Sequence, residues 1–240
     1  MSRAAADHAA ATLRRVIAAK GRVRVVAATA ASQLAFLECL SAAEGVAWSK
    51  VELFHLDEYI GLPATHPASF RRMLRKHLIE KTGIATVHLL DGDADPHEVR
   101  IRVGQELAKH PIDVAFIGIG ENAHLAFNDP PADFVTTAPY LVVELDTVSR
   151  QQQVDEGWFT KLAAVPRHAL SMSIQQILAS LEILAIVPDT RKAEAVRATL
   201  EGPVTSDVPA SILQTHAATT LYIDEPAAFL LSEETRARYR

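Results

Sequence analysis

Short apolar segments rich in β-branched residues alternate along the chain with segments whose apolar residues recur at helical spacing. Six segments are predicted to be strands: Val23–Ala28, Val51–Leu56, Ile112–Ile117, Leu141–Leu145, Ile183–Val187 and Thr220–Ile223. Five are predicted to be helices: Ala31–Ala43, Ala68–Ile79, Pro96–Lys109, Ser173–Ser180 and Asp189–Leu200. Most of the strands are apolar on both faces, which is typical of strands buried in a parallel sheet.

This alternation of strand and helix predicts βαβ crossovers, which set the strands parallel and place helices on the faces of the sheet. We therefore expect one α/β domain over residues 1–240. Its core would be a mostly parallel, doubly wound (Rossmann-like) sheet with helices on both faces. Ligands of such sheets bind outside the carboxyl ends of the strands, so candidate chemistry is sought in the segments that follow the strands.

Composition excludes several classes of partner and site. The 240 residues include 24 Lys and Arg and 29 Asp and Glu, which gives a formal net charge of −5. That balance argues against a nucleic-acid partner, which requires a basic surface. The one cysteine, Cys39, excludes an internal disulfide and a cysteine-based zinc site, and it fits a cytoplasmic location. No segment approaches the roughly 20 apolar residues that span a bilayer, so no membrane partner is expected.

Two segments carry groups that suit a bound anion. The turn 27–33 opens a predicted helix whose first N–H groups can bind phosphate, and Thr29 and Ser32 add hydroxyl groups. An ordinary strand-to-helix turn with hydroxyl caps explains this segment equally well. Lys192 lies in the first turn of the last predicted helix, where a cation is unfavourable unless an anion lies nearby. An ordinary surface lysine is the alternative there.

Two other segments carry groups that could transfer protons. Asp57 follows the second strand and could act as a general base, although a helix cap or a solvated turn would also explain an acid at this position. The segment 118–130 fits the weak dinucleotide pattern G-x-G-x-x-A, but prolines follow too soon for a long helix. A better interpretation is a loop that holds His124 beside Asn122 and Asp129, because an imidazole with a carboxylate partner can shuttle a proton at neutral pH.

Ten histidines raise the question of a metal site. Four of them recur every eleven residues, from position 55 to position 88, but they fall in different predicted elements. No H-E-x-x-H pair is present either. We treat the spacing as coincidence and expect no metal.

Three motifs together resemble the glucosamine-6-phosphate deaminase/isomerase family. They are LDEYIGLPATHPASF (Leu56–Phe70), GIGENAHLAFNDP (Gly118–Pro130) and PDTRKAEAVRATLEG (Pro188–Gly202). The resemblance runs from about Val23 to Ile223 and implies ring opening of a hexosamine 6-phosphate, proton transfer between C2 and C1, and loss of ammonia, without cofactor or metal. Related 6-phosphogluconolactonases share the fold, but Tyr59 after the acidic pair and the HLAFNDP loop fit the deaminase branch better.

The resemblance also implies roles for individual residues. Asp57 matches the family's base, His124 matches the residue that opens the ring, and Asp129 takes the place of a Glu. The implied phosphate-binding residues are Thr29, Ala30, Ala31, Ser32 and Lys192.

The chain departs from the family's pattern at three places. Asn122 stands where well-studied deaminases have an Asp, and an amide can orient an imidazole but cannot stabilise its cation. On this basis Asn122→Asp is expected to speed ring opening. Ala30 and Ala31 replace glycines, and alanine disfavours positive φ. The family's phosphate-binding arginine falls near Gln153, where Arg150 is the only arginine and hence the candidate substitute.

Three functions remain open at this stage. The leading one is an amino-sugar-phosphate deaminase/isomerase that acts on glucosamine or galactosamine 6-phosphate. The others are a lactonase, which would hydrolyse a ring ester, and a regulator that binds a sugar phosphate without turnover. In each case the expected partner is a small-molecule sugar phosphate, and a homo-oligomer is left open.

Overall fold

The computed structural model describes residues 1–238 as strands flanked by helices. The strands are β1 Val23–Ala27, β2 Val51–His55, β3 Asp57–Tyr59, β4 Thr86–His88, β5 Val114–Ile117, β6 Tyr140–Glu144, β7 His168–Met172, β8 Ile183–Val187 and β9 Thr219–Ile223. The helices are α1 Ser2–Lys20, α2 Leu34–Ser41, α3 Phe70–Leu74, α4 Glu80–Thr82, α5 Pro96–Ala108, α6 Thr147–Asp155, α7 Ile174–Leu178, α8 Ala193–Glu201 and α9 Glu233–Arg238. None of the helices within 1–238 is both long and apolar enough to cross a membrane.

Six strands form the central sheet, in the order β4-β2-β1-β5-β8-β9. Every neighbouring pair in it is parallel. All residues of β1, β5 and β8 are buried, as expected of strands that are covered on both faces. The predicted parallel, doubly wound α/β architecture is therefore confirmed.

Apolar side chains cover both faces of the central sheet. Val25 and Leu53 pack in a layer with α1, α2 and α3. Val26 and Phe54, one residue further along the same strands, pack in the opposite layer with α5, α7 and α8. Because successive side chains of a strand point to opposite faces, the wholly apolar strands require helices on both sides.

A second sheet, antiparallel and of order β3-β7-β6, corrects the expectation for the predicted strand Leu141–Leu145. That segment is β6, and it pairs with β7 rather than joining the parallel sheet. Strand β7 was not predicted; it directly precedes the predicted helix Ser173–Ser180, which is the shorter α7. Apolar periodicity identifies a strand but does not reveal its pairing partner, which depends on where the chain returns.

The junction between the two sheets lies at Leu56, between β2 and β3. Tyr140 of the second sheet donates a hydrogen bond from its hydroxyl group to the carbonyl oxygen of His55, at 2.7 Å. This contact fixes β6 against the end of β2. Asp57, the first residue of β3, is thereby held at the carboxyl end of the central sheet.

Glu58 joins β3 to the start of α3. Its Oε1 accepts hydrogen bonds from the N–H groups of Tyr59 and Phe70, at 3.0 and 3.2 Å. Its Oε2 accepts from the Ser69 hydroxyl at 2.9 Å and from the Arg71 N–H at 2.8 Å, and it pairs with the Arg71 guanidinium at 3.3 Å. Burial raises the pKa of Glu58, and these hydrogen bonds act against that rise. Its carboxylate therefore has a structural role.

We expect Glu58→Ala to lower the free energy of unfolding by about 3–5 kcal/mol, because it leaves buried donors and part of the Arg71 charge unpaired. Urea unfolding monitored by circular dichroism measures the loss. Glu194→Ala is the control, since Glu194 forms an exposed ion pair with Arg197 and its removal should change stability little. Equal losses for the two variants would contradict the structural role of Glu58.

Candidate active site

A cavity of about 550 Å³ opens at the carboxyl end of the central sheet. It is lined by the segments that follow β1, β2, β5 and β8 and by one side of α6. Most of the predicted site residues line it: Thr29, Ala30, Ala31, Ser32, Asp57, His124, Gln153 and Lys192. Asn122 and Asp129 lie behind His124, as described below. Among residues 1–238, no group of three or more His, Cys, Asp or Glu side chains is arranged to hold a metal ion.

Asp57 is the buried acid of the cavity. Its side chain is only 5% exposed, and none of the described residues donates a hydrogen bond to its carboxylate. Burial, reinforced by the neighbouring charge of Glu58, raises the pKa of Asp57 well above its usual value. A carboxylate with a raised pKa and no protein partner is a strong base that is free to take a proton from a ligand.

His124 lies in a tight loop after β5 and has a carboxylate partner. Its Nδ1 is 3.1 Å from Oδ1 of Asp129. Gly120 is required here because a Cβ at that position would overlap the imidazole ring. Ala123 has a φ of 65°, a left-handed conformation that turns the chain back so that the Gly120 N–H bonds to the His124 carbonyl oxygen at 2.9 Å. Gly120 therefore makes room for a histidine, and the dinucleotide interpretation is excluded because no helix follows the two glycines.

A hydrogen-bond network surrounds Asp129. Its Oδ1 accepts from the Ser149 hydroxyl at 2.5 Å and from Nδ2 of Asn122 at 3.0 Å. Burial alone would raise the pKa of Asp129, but hydrogen bonds from His124, Ser149 and Asn122 lower it to about 2. Asp129 is thus ionised at neutral pH and supplies the negative charge beside His124. The amide of Asn122 does not contact the imidazole and instead orients the carboxylate that does.

The opposite part of the cavity suits an anion. Ala30 has a φ of −149°, an extended conformation that any residue adopts, so the absence of glycine here causes no backbone strain. Ala31–Gln33 then form a 3-10 turn that leads into α2, and the first N–H groups of such a turn have no acceptor within the helix. Lys192 is 5% exposed, and its ammonium group makes no hydrogen bond or ion pair with the described residues. Burial lowers the pKa of Lys192, against the attraction of Glu121 and Glu156.

Arg191 also lines the cavity, but carboxylates surround it. Its guanidinium lies 3.0 Å from Asp189, 3.4 Å from Glu121 and 3.6 Å from Glu156. Asp189 has a φ of 90°, and its N–H donates to Asp224 at 3.1 Å, which holds this strained residue in place. The lysine rather than the arginine is therefore the unpaired cation in the described part of the cavity.

Arg150 is not placed as expected. It lies on α6 outside the cavity lining, and its guanidinium donates to the carbonyl oxygens of Leu162 and Val165, at 2.7 and 3.1 Å. The sequence pattern did not reveal this helix. Its cavity-lining residues recur at the spacing of one helix face, which leaves Arg150 outside that face; they are Ser149, Gln152, Gln153 and the C-cap residue Glu156. Gln153 lines the cavity, whereas Arg150 binds the segment after α6 through the two carbonyl oxygens of Leu162 and Val165.

Several lining residues were missed by the sequence analysis. They are Gln33, Ser149, Gln152, Glu156 and Asp224. Ser149, Gln152 and Glu156 come from α6 or its C-cap, a polar segment without an apolar stripe. The sequence signal that could have revealed this helix is Asp146, an N-cap residue whose carboxylate accepts a hydrogen bond from the Ser149 N–H at 2.6 Å.

Comparisons with known proteins agree with this geometry. A family model described as glucosamine-6-phosphate isomerases/6-phosphogluconolactonase matches residues 1–222. The chain is similar to the glucosamine-6-phosphate deaminase of Exiguobacterium sibiricum, with 38% identity over 187 residues, or 78% of this chain and 73% of that protein. The glucosamine-6-phosphate deaminase of Streptococcus pneumoniae is 32% identical over 216 residues, 90% of each chain.

Solved structures with the same fold include members of both branches. A monomeric glucosamine-6-phosphate deaminase superposes with a TM-score of 0.85 and 30% identity, over 95% of each chain. The 6-phosphogluconolactonase of Thermotoga maritima superposes with a TM-score of 0.76 over 91% of this chain and 92% of its own. Its identity is 16%, so this second likeness shows the fold alone.

The isolated carboxylate of Asp57 should cost the protein stability at neutral pH. Because folding raises the pKa of Asp57, the folded state holds its proton more tightly, and stability falls as pH rises from the usual value of 3.8 through the raised pKa. Asp57→Asn should therefore raise the free energy of unfolding by about 0.5–2 kcal/mol at pH 7.5. The gain should disappear near pH 4, where both side chains are neutral. Urea unfolding at the two pH values measures it.

Asp113→Asn is the matched control, because Asp113 is also buried but pairs with Lys20 at 2.5 Å and accepts from the Arg24 N–H. This variant should be less stable than the wild type at pH 7.5. Destabilisation by Asp57→Asn at that pH would contradict the isolated carboxylate.

Proposed function

Because the chain belongs to the family of glucosamine-6-phosphate isomerases and 6-phosphogluconolactonases, we propose that it is an amino-sugar-phosphate deaminase/isomerase. It converts glucosamine or galactosamine 6-phosphate, with water, to a ketose 6-phosphate and ammonia. The observation that carries this proposal is one cavity lined by two groups. One is the buried carboxylate of Asp57, which has no hydrogen-bond donor among the described residues, and the other is the carboxylate-paired imidazole of His124.

The two groups suit the two proton transfers that the reaction requires. His124 exchanges a proton between the anomeric hydroxyl and the ring oxygen, which opens the ring, and the charge of Asp129 stabilises its cation. Asp57 then removes the proton from C2 of the open-chain amino aldehyde while the C1 oxygen is protonated, which gives an enolamine. Transfer of the proton from Asp57 to C1, with loss of a proton from the nitrogen, gives an imine at C2. Addition of water to the resulting C2 imine releases ammonia and leaves the ketone.

The phosphate would be held at the other end of the cavity. Lys192 offers a buried ammonium group that has no partner among the described residues, and residues 30–32 offer the N–H groups of a helical turn with the Ser32 hydroxyl. Thr29 has a smaller share, because its hydroxyl donates to the Phe70 carbonyl oxygen at 3.4 Å. The proposal needs no cofactor or metal, and its partner is the small-molecule substrate. A cytoplasmic location, with Cys39 reduced, and a homo-oligomer both remain predictions.

The pure protein is tested with glucosamine 6-phosphate, galactosamine 6-phosphate and 6-phosphogluconolactone while ammonia and acid release are followed. Ammonia from either amino-sugar phosphate supports the proposal. Acid release from the lactone alone would favour the lactonase. A rise in melting temperature with a sugar phosphate, without any turnover, would favour the binding protein.

Asp57→Asn should lower ammonia release by about 10²–10⁴-fold, since an amide cannot accept the C2 proton. Binding of the sugar phosphate, measured by calorimetry, should persist. Asp207→Asn serves as control because Asp207 is exposed and lies outside the cavity lining, and its rate should equal that of the wild type. Undiminished turnover by Asp57→Asn would exclude Asp57 as the base.

Lys192→Met should raise KM for the amino-sugar phosphate by about 10- to 100-fold, the value of a charge-assisted hydrogen bond. The turnover number should change less, because the phosphate lies away from the reacting carbons. Lys50→Met is the control, since Lys50 is exposed and precedes β2 at the opposite end of the sheet. An unchanged KM for Lys192→Met would place the phosphate elsewhere.

A further inference from the structure

Asp146 lies behind the His124–Asp129 pair and makes hydrogen bonds to Asp129 and to the two residues that hold it. Its backbone N–H donates to Oδ2 of Asp129 at 3.2 Å. Its own Oδ2 accepts a hydrogen bond from Nδ2 of Asn122 at 3.2 Å. Its Oδ1 accepts from the Ser149 N–H at 2.6 Å and so caps α6. Asp146 therefore reaches Asp129 directly and through both side chains that hold it.

The amide of Asn122 lies between two carboxylates. Its Nδ2 is 3.0 Å from Asp129 and 3.2 Å from Asp146, so one NH₂ group donates to both acids. Its Oδ1 accepts from the backbone N–H of His124 at 3.2 Å. A carboxylate at position 122 would keep that last bond but would face two like charges in a largely buried place, where one of the three acids would have to retain a proton.

Ser149 connects the same cluster to the cavity wall. Its hydroxyl lies 2.5 Å from Oδ1 of Asp129 and 3.3 Å from Nδ1 of His124. It is 5% exposed and stands on the first turn of α6, which also carries Gln152 and Gln153 into the cavity. The N-cap at Asp146 thus sets the position of this helix relative to the histidine loop.

We propose that Asp146 is a positioning residue that holds Asp129 against His124 through Asn122 and Ser149, and that its charge is the reason for an amide at position 122. The positioning role of Asp146 is argued from these contacts, whereas the expected effects on the rate rest on the proposed function. This proposal reverses the expectation that Asn122→Asp speeds ring opening.

The test is a double-mutant cycle of the wild type, Asn122→Asp, Asp146→Asn and the double variant. Asn122→Asp places three carboxylates together and should lower ammonia release by about tenfold or more. Asp146→Asn loses one acceptor and should lower it less. The double variant again holds two carboxylates and one amide. Asn122→Asp should therefore lower the rate of ammonia release about tenfold less in the Asp146→Asn background than in the wild type.

A pH titration separates positioning from a loss of fold. The carbon NMR signal of the Asp129 carboxyl group should titrate at higher pH in Asn122→Asp, because a carboxylate replaces an amide donor, and should return towards the wild-type midpoint in the double variant. Asp95→Asn is the matched control: Asp95 caps α5 in the same way but lies outside the cavity, and neither rate nor titration should change.

If Asn122→Asp does not fold, Asp146→Ser decides the matter, since serine keeps the cap of α6 but removes the acceptor of the Asn122 amide. Its turnover number should fall at an almost unchanged melting temperature, and an unchanged turnover number would overturn the proposal. Strictly additive effects in the cycle, or faster turnover by Asn122→Asp, would also overturn it. If the wild type releases no ammonia, the proposed function fails, and the coupling of the Asp129 titration alone supports or overturns the positioning role.

Discussion

The burial of two neighbouring carboxylates at the junction of two sheets is the constraint on which the site depends. Glu58 accepts hydrogen bonds at both oxygens and ties β3 to α3, so its charge is satisfied within the fold. Asp57, one residue earlier, lines the cavity, and no residue within 1–238 donates a hydrogen bond to its carboxylate. Adjacent residues of a strand point to opposite faces, so one acid anchors the backbone and the other is left for a ligand. The stabilisation from the hydrogen bonds of Glu58 offsets the unfavourable burial of the Asp57 carboxylate.

The cavity separates proton transfer from anion binding. At one end the charge beside His124 comes from Asp129, with Asn122, Ser149 and Asp146 behind it. At the other end lies Lys192, whose buried ammonium group makes no contact with an acid among the described residues. A phosphate ester that spans the two ends would have its sugar carbons near Asp57 and His124.

The electrostatic balance of the cavity agrees with the acidic character of the whole chain. Four acidic side chains and two basic ones line it: Asp57, Glu156, Asp189 and Asp224, with Arg191 and Lys192. Binding of a phosphate dianion therefore depends on hydrogen-bond donors within the cavity rather than on the electrostatic field of the whole protein, since the net charge of the chain is −5. The carboxylates around Arg191 neutralise that cation, which makes the desolvated Lys192 the dominant local charge.

Sequence alone determined the central parallel sheet and the location of the site, because wholly apolar strands require cover on both faces and ligands bind where parallel strands end. It also pointed to Asp57, His124, Asp129 and Lys192, each of which lies in a segment that comes after a strand of the parallel sheet. Only the tertiary structure decided that β6 lies in an antiparallel sheet, that Arg150 lies outside the cavity, and that the Asn122 side chain donates to the Asp129 carboxylate. These outcomes depend on contacts between residues far apart in the chain, such as Asn122 with Asp146, and local patterns of polarity do not record which distant groups meet.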